Sequence, residues 1–125
     1  LSLVANTALF SALANDAGYE EVFLEQMKGP FREGDIVVGI SASGNSENVL
    51  RATRFANENG GASVALVGFD GGKLKDMAQQ CIHVPTPVGA YELVEDVHHA
   101  VCHMIANYLK YRAAHRSAGD NQGKA

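Results

Sequence analysis

The sequence predicts an α/β fold: a parallel sheet with helices on both faces, in three layers. Two observations and one rule of chain handedness carry that expectation. Short apolar runs alternate with longer stretches of helical periodicity along the chain. The run Ile36-Val37-Val38-Gly39-Ile40 is continuous and rich in β-branched residues, which suits a strand covered on both faces. Right-handed crossovers between parallel strands then place the intervening helices on both sides of the sheet. In sheets of this kind, ligands sit at the carboxyl ends of the strands.

Each element has its own signal. LSLVA, residues 1–5, reads as a strand. TALFSALA, residues 7–14, reads as a short helix with Asn6 or Thr7 as its N-cap. Asn15-Asp16-Ala17-Gly18 reads as a turn. A second helix runs from Tyr19 to Met27, with Val22, Phe23 and Met27 on one side, and Pro30 and Gly34-Asp35 mark its end. After the Ile36–Ile40 strand come a loop from Ser41 to Ser46 and a helix from Glu47 to Asn59, stopped by Gly60-Gly61. Ser63 to Val67 form the next strand and Gly68 to Gly72 a loop. Leu74 to Gln80 form a short helix and Cys81 to Val84 a last strand. Pro85 and Pro87 break the chain before the longest helix, Glu92 to about Arg112. Residues 1–115 thus make one domain, and the polar stretch 116–125 reads as a disordered tail.

Composition narrows the function classes. The 125 residues leave room for one domain. With 46% apolar and 19% charged residues, a buried core is within reach. Ten basic against fourteen acidic residues give a net charge of -4, without the basic footprint of a nucleic-acid binder. No run approaches the ~18 apolar residues of a membrane span. Two cysteines, Cys81 and Cys102, suit a reducing, cytoplasmic compartment better than a disulfide scaffold. The chain opens at Leu1 with no methionine and no leader pattern, and it opens on an apparent strand, so a preceding segment is expected.

The segment with most chemistry is Ser41-Ala42-Ser43-Gly44-Asn45-Ser46, between a strand and a helix N-terminus. Free N–H groups and the helix dipole favour an anion there. Gly44 permits close backbone approach, and Ser41, Ser43 and Ser46 add hydroxyl donors without adding charge. These features suit a reversibly bound phosphate monoester. The nucleotide-binding pattern G-x-x-x-x-G-K-[ST] is absent, as are G-x-G-x-x-G and G-x-S-x-G. A plain capped loop has the same residue types.

The last helix carries a second group. Leu93, Val94, Val97, Val101, Met104, Ile105 and Tyr108 share one apolar stripe at ~100° per residue, which predicts a core-facing side. Glu95, His99 and His103 line the opposite face. His98 and Cys102 lie nearer the edge of the stripe and read as packed or as supporting the site residues from behind. His83 and His115 have no constellation around them and read as structural. Glu95 and His103 lie ~12 Å apart along an ideal helix, so one metal ion shared between them needs side chains that lean together and further ligands from elsewhere. Zinc best suits this His/carboxylate pair.

Ile40-Ser41-Ala42-Ser43-Gly44-Asn45-Ser46 resembles the I-S-T-S-G-N-S signature of the sugar isomerase (SIS) domain, a flavodoxin-like α/β/α sandwich. Within that superfamily the chain is most similar to phosphoheptose isomerases. The likeness runs from Leu1 to about Arg112 and includes Asn15-Asp16, Asp70-Gly71-Gly72-Lys73, and the spacing of His98 and His103. It implies an aldose–ketose isomerase acting on a sugar phosphate, with sedoheptulose 7-phosphate as the expected substrate. It implies that Ser41, Ser43 and Ser46 hold the phosphate, that Gly44 and Asn45 shape the loop, and that Asp16 is a polar site residue. It makes His103 the catalytic acid/base, with Glu95 where the family usually has a metal-assisting glutamine. It also implies a homo-oligomer, a tetramer in the heptose enzymes.

Ala42 replaces the signature's threonine and Glu95 the glutamine, which keeps a non-catalytic phosphosugar sensor or interaction scaffold as the alternative. The family's upstream helices, its first strand with a G-N-G-G-S loop, and a helical histidine and glutamate are not among these residues. That strand lies between the counterparts of LSLVA and IVVGI. Residues 1–125 alone are therefore expected to fold poorly and to hold about half of the site.

Overall fold

The computed structural model describes residues 1–119, with side chains through 115. The elements follow the order α1 (Thr7–Asp16), a 3-10 turn (Tyr19–Glu21), α2 (Val22–Met27), β1 (Ile36–Ser41), α3 (Glu47–Glu58), β2 (Ala62–Val67), α4 (Gly72–Met77), β3 (Gln80–His83) and α5 (Tyr91–Gly119). The strands form a parallel sheet in the order β1-β2-β3. Helices flank it, as the alternating pattern predicts.

Local signals explain most boundaries. The Asn6 side chain accepts the Leu9 N–H at 3.0 Å and caps α1. Asn59 and Gly60 end α3, with Gly60 at φ 75°. Asn15 and Asp16 belong to the last turn of α1, so the expected turn starts later, at Ala17. α4 stops at Met77, three residues short of the expected end, because Ala78 is already extended.

The core sits between the sheet and the α2–α3–α4 side. Val49 and Leu50 of α3, Ala65 and Val67 of β2, and Leu74 of α4 form one buried cluster. Met27, Ala52 and Ala56 form a second, against Phe31, Val37 and Phe55. Gly39 is needed here: a Cβ on it would meet the Val49 side chain at 2.8 Å.

Three expectations need correction. LSLVA is not a strand. A strand needs a ladder partner, and β1 pairs only with β2 among the described residues. Residues 2–5 turn instead: the Ala5 N–H donates to Ser2 O, Leu3 packs on the Met27 cluster, and Gln26 donates to Leu3 O. Second, β1 is covered on one face only. Ile36, Val38 and Ile40, which alternate away from α3, are 66%, 55% and 49% exposed. Continuous apolarity records a demand for burial on both sides but does not supply the cover. Third, α5 extends to Gly119, so residues 116–119 of the expected tail are helical. The rest of that tail lies outside the described residues.

Candidate functional site

The serine loop leaves the carboxyl end of β1 and enters α3. Ser41 is buried, and its hydroxyl lies 2.9 Å from the Ser46 hydroxyl and accepts the Gly44 N–H at 3.1 Å. Two hydroxyls sharing one hydrogen bond leave one O–H to donate elsewhere. The Ser43 hydroxyl accepts the Asn45 N–H at 3.2 Å and keeps its own proton free for a ligand. The Ser46 side chain does not cap α3. Among the described residues, the N–H groups of Ser46, Glu47 and Asn48 have no acceptor in the protein. Hydroxyl and amide donors thus converge at one helix N-terminus, where the dipole favours negative charge.

The loop is clamped from the opposite side by the turn after β2. Leu74 donates its N–H to Gly44 O at 2.9 Å, and Lys73 donates its N–H to Asn45 Oδ1 at 3.2 Å. Asn45 Nδ2 in turn donates to Ser43 O at 3.0 Å. The approach is close enough to require glycine on both sides. Gly44 has φ 64°, and a Cβ there would lie 1.9 Å from Gly71 O. Gly72 has φ 53°, and a Cβ there would lie 2.3 Å from Ser43 O. This gives physical meaning to Asp70-Gly71-Gly72-Lys73: it is the second half of the serine loop's mould.

That turn is itself held by residues that sequence reasoning passed over. Phe69 has φ 48°, a left-handed conformation uncommon for an aromatic residue. Its N–H donates to Thr86 Oγ1 at 3.4 Å, its carbonyl lies 3.0 Å from His83 Nε2, and its ring meets Tyr91 edge-on at 5.0 Å. His83 therefore has the structural place expected of it. Pro85 and Pro87, flanking Thr86, mark a fixed segment there, but nothing in a linear pattern pairs Thr86 with Phe69.

The histidine helix departs further from expectation. Val94 is fully buried, and a Cβ on Gly68 would meet it at 2.5 Å, so the start of α5 packs on the end of β2. His98, one turn on, is 4% exposed, and its Nε2 is buried with no hydrogen-bond partner. It is packed, as its place at the stripe's edge predicts. The stripe itself is not core: Leu93, Val97, Met104, Ile105 and Tyr108 are exposed, Met104 by 62%. Glu95, His99 and His103 are exposed too. The His99 and His103 rings lie 4.7 Å apart, but Glu95 makes no polar contact with either. Among the described residues, no three His, Cys, Asp or Glu side chains gather as metal ligands.

A family model described as the SIS domain matches residues 6–109. The chain belongs to the SIS domain family. It is 40% identical over 110 residues to the phosphoheptose isomerase of Akkermansia muciniphila, a match covering 88% of this chain and 57% of that protein. It is 36% identical over 120 residues to the phosphoheptose isomerase of Helicobacter pylori, covering 94% of this chain and 60% of that protein. Among solved structures, the phosphoheptose isomerase of Neisseria gonorrhoeae superposes with a TM-score of 0.78 at 35% identity, over 86% of this chain and 60% of that one. The chain therefore spans less than two thirds of the length of these relatives.

Within this SIS domain, hydrogen bonds join Ser41 to Ser46 and Gly44, and Ser43 to Asn45. Asp16 is not joined to them: it is exposed, and its hydrogen bond goes to its neighbour Asn15 at 2.7 Å. No hydrogen bond links Glu95 or His103 to the loop among the described residues.

Proposed function

We propose that this SIS domain belongs to a sugar-phosphate isomerase that interconverts sedoheptulose 7-phosphate and an aldoheptose 7-phosphate. The observation that carries the reading is the moulded Ser41–Ser46 loop, which presents hydroxyl and amide donors at the start of α3. Both relatives' names support the choice of substrate. The loop binds the phosphate and holds the far end of the sugar. Isomerisation then moves protons at the other end: a base takes a proton from C1 while an acid protonates the C2 carbonyl oxygen, giving an enediol. Return of a proton to C2, with loss of the O1 proton, gives the aldehyde. His103, at the position the family resemblance marks as the acid/base, carries those protons. Glu95, on the same face, is the second candidate acid/base. No step is assigned to a metal.

The exposed apolar face of α5 supports a homo-oligomer, tetrameric as in the heptose enzymes the sequence resembles, with the reacting centre completed at a subunit boundary. No helix among the described residues is long and apolar enough to cross a membrane, and the two free cysteines suit a cytoplasmic setting. The test is a coupled assay of sedoheptulose 7-phosphate turnover. Turnover lost on His103→Ala supports the isomerase. Tight sugar-phosphate binding without turnover favours the sensor reading instead, for which Ala42 in place of the signature's threonine and Glu95 in place of the glutamine are the motive.

A further inference from the structure

An acidic residue stands where a phosphate is expected to bind. Glu47 is the first residue of α3, directly after Ser46, and its N–H is one of the unpaired donors. A carboxylate in the first helical turn is drawn to the same partial positive charge as a bound anion, and it repels that anion. The structure shows where this carboxylate goes instead. Arg51, one turn along α3, donates its Nε–H to Glu47 Oε1 at 3.1 Å. The other end of the guanidinium is tied to the Glu21 carboxylate of the 3-10 turn. Arg51 is thus fixed at two points and holds Glu47 along the helix side.

We propose that Arg51 is a positioning residue for anion binding: it neutralises Glu47 and draws its carboxylate off the Ser46–Asn48 donors. The inference rests on the phosphate-loop reading. It explains how a loop with no cation of its own tolerates an acidic residue at its helix end. The Glu47 hydrogen bond is also the leading cause that raises the Arg51 pKa above its ordinary value, so the counter-charge is permanent.

A double-mutant cycle separates this role from direct contact. The probe is inorganic phosphate, titrated into the full protein and read from the Gly44 and Ser46 amide NMR signals. Arg51→Gln is expected to weaken phosphate binding by about twofold to fivefold, the size of a charge effect at a helix end. Glu47→Gln is expected to strengthen it by a similar factor. The double variant is expected to bind as Glu47→Gln does, because Arg51 then has no carboxylate at the start of α3 to neutralise, its other partner being Glu21 of the 3-10 turn. Arg51→Lys keeps the charge and is expected to stay close to wild type, which excludes a purely structural loss. Equal weakening by Arg51→Gln in both backgrounds would show direct ligand contact and overturn the proposal. No effect of Arg51→Gln would overturn it too. If the wild-type amides do not respond to phosphate, the loop reading falls and takes this inference with it.

Discussion

The serine loop and helix α5 carry the two halves of the proposed chemistry, and they are built in opposite ways. Every bend of the loop is braced within the described residues: Gly44 against Gly71, Asn45 against Lys73, Ser41 against Ser46. Past Val94, the apolar stripe of α5 faces outward, with Val97, Met104, Ile105 and Tyr108 exposed. The loop can be preformed before any partner arrives, because its donors are fixed by short-range contacts. The groups proposed as acid and base, Glu95 and His103, lie exposed on that helix. Binding and proton transfer are therefore expected to fail separately.

The largest expected effect is on α5. Replacing Met104 and Tyr108 together by Asp removes two apolar side chains from the exposed stripe, each worth about 1.5–3 kcal/mol when fully buried. Sedimentation is expected to shift from oligomer to monomer, while the loop still binds phosphate. A variant that stays assembled would break the contrast by showing that this face is not the interface.

His103→Ala is expected to lower kcat by about a hundredfold or more, the usual size of a lost acid/base. Sugar-phosphate affinity, measured by calorimetry, should hardly change. Gly44→Ala attacks the loop. Its left-handed φ and the clash with Gly71 O are expected to cost about 3 kcal/mol in urea unfolding and to abolish phosphate binding. Ser46→Ala is milder. It removes one hydroxyl and is expected to raise the Kd for sugar phosphate about tenfold, with a stability change within about 1 kcal/mol.

The same contrast explains what could be read from the sequence. The loop was legible because its signals are local: a β-branched run, three serines, Gly44 and a helix N-cap within eleven residues, Ile36–Ser46. The caps at Asn6 and Asn59-Gly60 were legible for the same reason. LSLVA has strand composition, yet strand formation depends on a ladder partner that composition does not name. Ile36, Val38 and Ile40 likewise announce a buried face without saying what buries it. The stripe on α5 has correct helical periodicity, but periodicity is silent on whether the partner is this chain's sheet or another surface. Phe69 and the Arg51–Glu21 pair went unread because Thr86 and Glu21 are distant in sequence and follow no pattern, although Glu47 and Arg51 have the i,i+4 spacing of a helical ion pair.

The central claim is that the Ser41–Ser46 loop recognises the phosphate of a phosphorylated sugar. Calorimetry with sedoheptulose 7-phosphate and with unphosphorylated sedoheptulose tests it most directly. The phosphorylated sugar is expected to bind about a hundredfold tighter or more, as two charge-assisted hydrogen bonds would give. Equal affinity for the two sugars would contradict the account.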